Sequence, residues 1–423
     1  LKAVPKVFYI LACVPLAGVL LVGCQKAAPA YECRDAIGCV RIGAGEPVKI
    51  GLLQALSGKV APLGQDQIRG IELALEKRRR TLLGHPIELQ TEDTGCTAEG
   101  GANAALKIIA DPQTVAILGT TCSGAAATAA NAMSDAGLTM ISGNNSAPYL
   151  TAISGQRAPH WQPGYFRTAP NEETSGKAAA LYAYNKLGIR NAATINDGDI
   201  YTTGLTSGFE QAFEQLGGRI VLSTSVDKGD TQMQPVLTAV LNAKADLLFF
   251  PLFQPEGNRI LLQARNTPGF ESIVLMSDGA LIETSFIEDV GARATGMYFV
   301  GPAHPSGPGI DALAADYKSR YNRQPATSYY TSAYDAAALL FAALEKVAVR
   351  EAGGTLHLGR QALRDYLYAA KGFDGVSGSL TCDAFGDCAD PVFNVLRLND
   401  PATGVEGLQS SIMFTFKPGN QRR

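Results

Sequence analysis

Short runs of β-branched and aliphatic residues alternate with amphipathic stretches of helical length, and the alternation runs twice along the chain. The first series opens at Val48-Lys49-Ile50-Gly51-Leu52-Leu53. It passes through a helix over 65–80, a strand over 87–90, a helix over 99–110, a strand over 115–118 and a helix over 123–136 to Thr139-Met140-Ile141. After the extended stretch 165–170 a second series follows, with helices over 172–187, 202–216, 233–242 and 256–266 and strands over 192–195, 220–225, 246–250, 272–276 and 296–300. Strands that are apolar throughout are those buried on both faces, as in parallel sheets flanked by helices. The fold class expected is therefore α/β, with two doubly wound parallel-sheet, Rossmann-like lobes. A chain of 423 residues, 46% hydrophobic and 18% charged, is long enough and apolar enough for two separate cores.

Beyond Pro302 the pattern predicts helices over 309–321, 328–350 and 358–370, then short strands near 377–382, 392–398 and 412–416. These strands are too few for a third domain. They are expected to complete the two sheets, which requires the chain to pass between lobes more than once.

Lys2 and Lys6 precede the apolar run 7–21, interrupted by Pro15 and followed by Val22-Gly23-Cys24. That is the layout of a signal peptide over 1–24, and the run falls short of the roughly 20 apolar residues of a membrane span. Leu21-Val22-Gly23-Cys24 resembles the bacterial lipobox, which implies lipidation at Cys24, a membrane anchor of more than one acyl chain and an extracytoplasmic location. Residues 25–45 are expected to be a tether.

Eight cysteines point to an oxidising compartment once Cys13 is given to the signal peptide and Cys24 to the lipid. The remaining six formally allow fifteen connectivities. The preferred one is Cys33–Cys39, Cys96–Cys122 and Cys382–Cys388, because the first and last pairs each flank a short loop and Cys96 and Cys122 each follow a predicted strand. Closing the loop of roughly 25 residues between Cys96 and Cys122 is worth about 3 kcal/mol in the chain-entropy model. Structural zinc lacks a CxxC spacing, and the four histidines are scattered at 85, 160, 304 and 357, so neither metal nor cofactor is expected.

A net charge of −3 offers no field for a polyphosphate backbone, which argues against a nucleic-acid partner. GxSxG, HExxH and GxxxxGK[ST] do not occur, and no histidine falls in the strand-end loops, so no catalytic residues are assigned. Glu92 and Asp93 are adjacent and so point to opposite faces of a strand, and Arg78-Arg79-Arg80 suits the end of a helix.

The stretch Val48 to Gly58 (VKIGLLQALSG), residues 65–76, residues 117–123 with the cysteines at 96 and 122, residues 201–211 and Ser277-Asp278-Gly279 together resemble the Leu/Ile/Val-binding proteins of ABC importers. The likeness runs over about 46–400, in the family's order. It implies the type I periplasmic binding protein fold, with two lobes joined by three crossovers near 170, 302 and 376. The lobes are then 46–170 plus 303–376 and 171–302 plus 377–416. A ligand is held in the cleft, and an ABC permease reads the closing of the lobes.

Open parallel sheets bind ligands outside the carboxyl ends of their strands. Residues 120–124 and 142–146 sit at such ends in the first lobe, and 196–201 and 277–279 in the second. By resemblance, Ser123 and Ser146 hold an α-carboxylate, a backbone carbonyl at Asn144 and the side chain of Asp278 hold an ammonium, and the Tyr201 ring covers the ligand. Each serine could equally be a helix N-cap worth about 1 kcal/mol, Tyr201 could pack on its own lobe, and Asp278 could be a turn aspartate before Gly279. Leu63 and Phe253 stand where relatives often carry tyrosine, which favours an apolar ligand side chain through area burial at about 25 cal/mol per Å². The function expected is that of a monomeric solute-binding component of an importer for a branched-chain or other apolar amino acid, or an amide. A ligand-sensing module on the same fold is the alternative.

Overall fold

A computed structural model describes residues 1–6 and 31–418. Cys13, Cys24, the apolar segment 7–21 and residues 25–30 of the expected tether lie outside the described residues. The chain divides into Leu1–Glu32 and a compact unit from Cys33 onward, and the second unit contains everything below. Among the described residues, no helix is long and apolar enough to cross a membrane.

The first sheet has six strands in the order Thr81–Leu82, His85–Asp93, Val48–Gln54, Thr114–Gly119, Met140–Ser142 and Tyr165–Arg167. All neighbours are parallel except the first pair. Thr114–Gly119 is wholly buried, and Val48–Gln54 is buried at every position but Lys49, as helices on both faces require. The second sheet has seven strands, ordered Arg219–Ser225, Asn191–Asn196, Leu247–Phe249, Val274–Asp278, Tyr298–Pro302, Phe393–Arg397 and Ile412–Phe416. Its first five strands run parallel, and the last two are antiparallel additions from the end of the chain.

In each sheet the chain starts on an inner strand, steps to one side, and then returns to build the other side. The reversal falls between Val48–Gln54 and Thr114–Gly119 in the first sheet and between Asn191–Asn196 and Leu247–Phe249 in the second. Loops leaving the carboxyl ends of such a pair turn to opposite faces of the sheet and leave a crevice. The fold therefore provides one crevice per sheet before any side chain is considered.

Residues after 302 return to the first sheet. Tyr329–Val347 buries Ala333, Ala337, Leu340 and Leu344 in one core with Ile50, Leu52 and Leu118. It lies against helix Ala61–Lys77, and a Cβ on Gly70 would stand 2.1 Å from the Tyr330 carbonyl oxygen, so only glycine permits the two helices this close.

Four expectations need correction. Residues 25–45 are not all tether, because Cys39–Ile42 pairs antiparallel with Leu356–Gly359, which in turn pairs with Ala348–Arg350. The predicted helix 358–370 consequently starts only at Arg360, since 356–359 are taken up as a strand. The strand expected near 377–382 enters neither sheet: Gly378–Leu380 pairs with Phe373–Gly375 in a separate ribbon. The return to the second sheet also comes later than 376. The loop through Asp387 stays bound to Arg167, and the chain first meets the second sheet's strands where Ala303 N–H donates to the Val392 carbonyl.

The cysteines form Cys33–Cys39, Cys96–Cys122 and Cys382–Cys388, with Cα separations of 6.0, 5.3 and 3.8 Å. The second bridge ties together the loops that leave His85–Asp93 and Thr114–Gly119, at the crevice of the first sheet.

Candidate functional site

Strand ends of the two sheets face one another, and they bring the expected residues together. Leu63 lies in the first turn of Ala61–Lys77, Ser123 opens Ser123–Asp135, and Asn144 and Ser146 follow Met140–Ser142. Opposite them Tyr201 lies in the first turn of Ile200–Gln215, Phe253 follows Leu247–Phe249, and Asp278 ends Val274–Asp278. All but Asp278 line one small cavity, together with Thr121, Ala280 and Tyr329. Asp278, fully buried, joins it through the Tyr201 hydroxyl, which donates to its carboxylate.

On the first sheet's side, neither serine is a cap. The cap of Ser123–Asp135 is Cys122, with no side-chain bond, so the first N–H groups of that helix are left without a side-chain partner at the cleft. Ser123 instead accepts from Ala147 N–H at 3.2 Å through its hydroxyl. Asn144 is oriented by its amide, which donates to the Thr121 carbonyl at 2.9 Å, and its N–H donates to the Ser142 hydroxyl at 3.1 Å. Behind this loop lies Arg167, fully buried, which donates to the carbonyls of Asn145 and Ala147 and pairs with Asp387 at 2.5 Å. The loop bearing Ser146 is thus held from beneath by a charge that the Cys382–Cys388 loop neutralises.

On the second sheet's side, Asp278 also accepts from Ala280 N–H and from the Ser277 hydroxyl, both at 3.3 Å. It does cap the short turn Gly279–Leu281, so the turn role and the cleft position coincide. Burial pushes its carboxyl up to about 7 against the downward pull of these donors. Burial, and then the nearby carboxylates of Asp278 and Glu172, hold the Tyr201 phenol well above its usual range, so it remains a donor. The Tyr201 ring packs against Phe253 with centroids 5.2 Å apart.

The two walls meet. A Cβ on Gly124 would stand 2.5 Å from a carboxylate oxygen of Asp199 on the opposite wall. Asp199 cannot easily yield, because it accepts from Tyr201 N–H at 2.9 Å and pairs with Lys228 at 2.8 Å. Leu63, Ser123, Asn144, Ser146, Tyr201 and Phe253 are all buried, so the arrangement is that of a closed cleft. It can present amide donors and hydroxyls to an anion at one end, a carboxylate to a cation at the other, and apolar rings between.

The family model described as periplasmic binding protein matches residues 47–387, most of the chain. The chain belongs to this family. Curated relatives of this periplasmic binding protein include the Leu/Ile/Val-binding protein homolog 3 of Brucella melitensis, 25% identical over 84% of this chain and 92% of that protein. The Leu/Ile/Val-binding protein of Escherichia coli K12 is 23% identical over 85% and 93%. Among solved structures, a leucine-binding protein, LivK, of Thermotoga maritima superposes with a TM-score of 0.75 at 24% identity, covering 88% of this chain and 99% of that one. A solute-binding protein of an ABC transporter from R. palustris, in complex with benzoate, gives 0.71 at 20% identity, covering 88% and 96%. Family and fold are those of extracytoplasmic solute-binding proteins of the type I periplasmic class, not of enzymes.

In this periplasmic binding protein several cleft residues were invisible to sequence reasoning. Thr121 lies within the strand-end segment 120–124 with no role of its own in the sequence, Ala280 offers no chemistry, and Tyr329 comes from the helix predicted over 328–350, far from any strand-end loop in the sequence. Glu172, just past the first crossover, carries no spacing signal: beside Glu173 at a helix start it reads as one of two acids that suit the helix N-terminus. A larger cavity, about 350 Å³, lies among the connecting segments, lined by residues such as Thr168, Pro302, His304, Ser332 and Val392. It lies where Thr168 and Pro302 lead out of the two sheets, shares only Tyr329 with the smaller cleft and takes in none of Ser123, Ser146, Tyr201 or Phe253, which is why the smaller cleft is taken as the site. Among the described residues, no group of three or more His, Cys, Asp or Glu could hold a metal ion.

Proposed function

We propose that this protein is the receptor of an ABC importer and captures an apolar α-amino acid, such as a branched-chain one, between two hinged lobes. The lobes are built on the two sheets, with crossovers near 170, 302 and 389–392. The ligand's carboxylate lies against Ser123, Ser146 and the start of helix Ser123–Asp135, where free N–H groups favour an anion. Its ammonium lies against Asp278 and the Asn144 carbonyl. Leu63, Tyr201 and Phe253 enclose the side chain. An ABC permease recognises the closed form, and the protein acts as a monomer held at the membrane through a lipid on Cys24.

The observation that supports an amino acid most is Asp278, a buried carboxylate that the Tyr201 hydroxyl links to the cleft. The R. palustris protein bound to benzoate presents the other reading, a ligand with a carboxylate and no cation. Such a ligand would leave Asp278 protonated and without a role, whereas an ammonium pairs with its ionised form. Calorimetric titration should therefore show L-leucine binding at micromolar or lower Kd and benzoate not at all. Benzoate binding without leucine binding overturns the reading. The anchor has its own test: Cys24→Ala, expressed with the native signal, should lose membrane partitioning, and unchanged partitioning rejects lipidation there.

A further inference from the structure

The larger cavity, about 350 Å³, is bounded by all three segments that join the two sheets. Thr168 and Pro170 leave strand Tyr165–Arg167, residues 302–306 leave strand Tyr298–Pro302, and Ala389, Asp390 and Val392 lead into strand Phe393–Arg397. Ala303 N–H donates to the Val392 carbonyl at 2.8 Å, which ties the second segment to the third. The Thr168 hydroxyl donates to the Ser332 carbonyl at 2.6 Å, and the Ser332 hydroxyl donates to the Gly143 carbonyl at 2.6 Å, next to Asn144 of the cleft. Tyr329 lines both spaces.

A volume of this size falls within the roughly 300–1,000 Å³ of small-molecule sites, which favour the junctions between lobes. The inner wall is buried at Thr168, Thr331, Ser332 and Leu380, and the mouth is exposed at His304, Ser306, Ser379 and Asp390. Pro170, Pro302 and Val392 add apolar surface between the two. Among the described residues, no lysine or arginine lines the space. Partial burial holds the His304 imidazole below its ordinary 6.5, so at neutral pH it brings no positive charge. A carboxylate or phosphate would therefore meet no cation here. An ammonium would meet the Asp390 carboxylate and the hydroxyls of Ser306 and Ser379, which can accept its N–H groups.

We propose that this cavity is a second binding site, for a small organic ammonium ion with an apolar body, and that its occupant favours lobe closure. The body lies against the prolines and Leu380, and the ammonium lies at the mouth beside Asp390. Lobe movement must turn the same three segments that wall the cavity, so an occupant that fits the closed form binds the open form less well. Differential affinity of that kind shifts the equilibrium between them. By linkage, the hinge ligand then tightens the cleft ligand and the cleft ligand tightens the hinge ligand by the same factor.

Cyclohexylammonium chloride and its neutral counterpart cyclohexanol test this on the full chain at neutral pH and matched ionic strength. Calorimetry should show the amine binding at millimolar Kd and cyclohexanol at least tenfold more weakly. Saturating amine should lower the Kd for L-leucine at least threefold. Asp390→Lys, at an exposed position, should weaken the amine at least tenfold and bring the ratio of leucine Kd with and without amine to one. Asp390→Asn should weaken the amine at least threefold and serves if the lysine variant does not fold. Absence of amine binding, equal binding of cyclohexanol, or amine affinity unchanged in a folded Asp390 variant overturns the site. A leucine Kd unchanged by saturating amine overturns the coupling. A leucine Kd that rises in proportion to amine concentration places the amine in the cleft and overturns both. If leucine itself does not bind, the amino-acid reading falls, and the amine titrations on wild type and variants alone decide the hinge site.

Discussion

Asp387→Ala lowers the stability of the fold by about 3–5 kcal/mol, the cost of leaving a buried charge without its partner. Arg167 has no exposed surface, so water cannot replace the carboxylate. The loss is compounded, because Asp387 also accepts from the Thr151 hydroxyl at 2.9 Å and the Asn171 amide at 3.0 Å. Through Asp387 the Cys382–Cys388 loop is fastened to strand Tyr165–Arg167, where Arg167 N–H donates to Gly386 O and Cys388 N–H donates to Arg167 O. That strand ends at the first crossover, and Arg167 also grips the carbonyls around Ser146. Urea unfolding should therefore show a midpoint shift of this size, with the slope unchanged. Asp387→Asn, which keeps an acceptor but not the charge, should fall between. A loss below about 1 kcal/mol in the alanine variant would be the value of an exposed pair and would contradict the burial.

The parts of this molecule that were legible in the sequence are those whose signal is local. Strands such as Thr114–Gly119 and Leu247–Phe249 are buried on both faces, so they appear as apolar runs between helices, and their carboxyl ends locate Ser123 and Phe253 directly. What stayed hidden depends on partners far away in the chain. Cys39–Ile42 is four residues with only Val40 and Ile42 buried, and its strand character comes from Leu356–Gly359, more than three hundred residues on. Asp387 reads as a loop acid until the fold places Arg167 against it. Glu172 and Tyr329 enter the cleft from segments beside the crossovers, whose path is set by how the two sheets are joined and not by any periodicity. The two serines were placed correctly at the strand ends, but their N-cap alternative failed because Cys122 and Ala147 hold the cap positions.

Replacing Asp278 by alanine is expected to weaken L-leucine binding by about 2–4 kcal/mol, or roughly thirty- to several-hundred-fold in Kd. The same side chain makes two pH dependences run in opposite directions. Burial holds the folded carboxyl at about 7 against an ordinary 3.8, so the unliganded folded protein keeps a proton that the unfolded chain has released. Between those values the native state binds more protons, and its stability must fall as pH rises, levelling off above about 7. An ammonium pairs only with the ionised form, so leucine affinity must rise over the same interval. Glu172, Tyr201, Tyr329 and Ser277 face the group, and of these only Glu172 titrates nearby, adding to both trends in the same sense. Asp278→Asn should remove its share of each slope. A purely turn-capping aspartate would behave otherwise: its carboxyl would sit below the ordinary value, stability would climb with pH, and leucine would bind the alanine variant as tightly as the wild type. Melting curves and titrations at pH 5, 6, 7 and 8 on the three proteins therefore decide whether this carboxylate serves the ligand or only the turn.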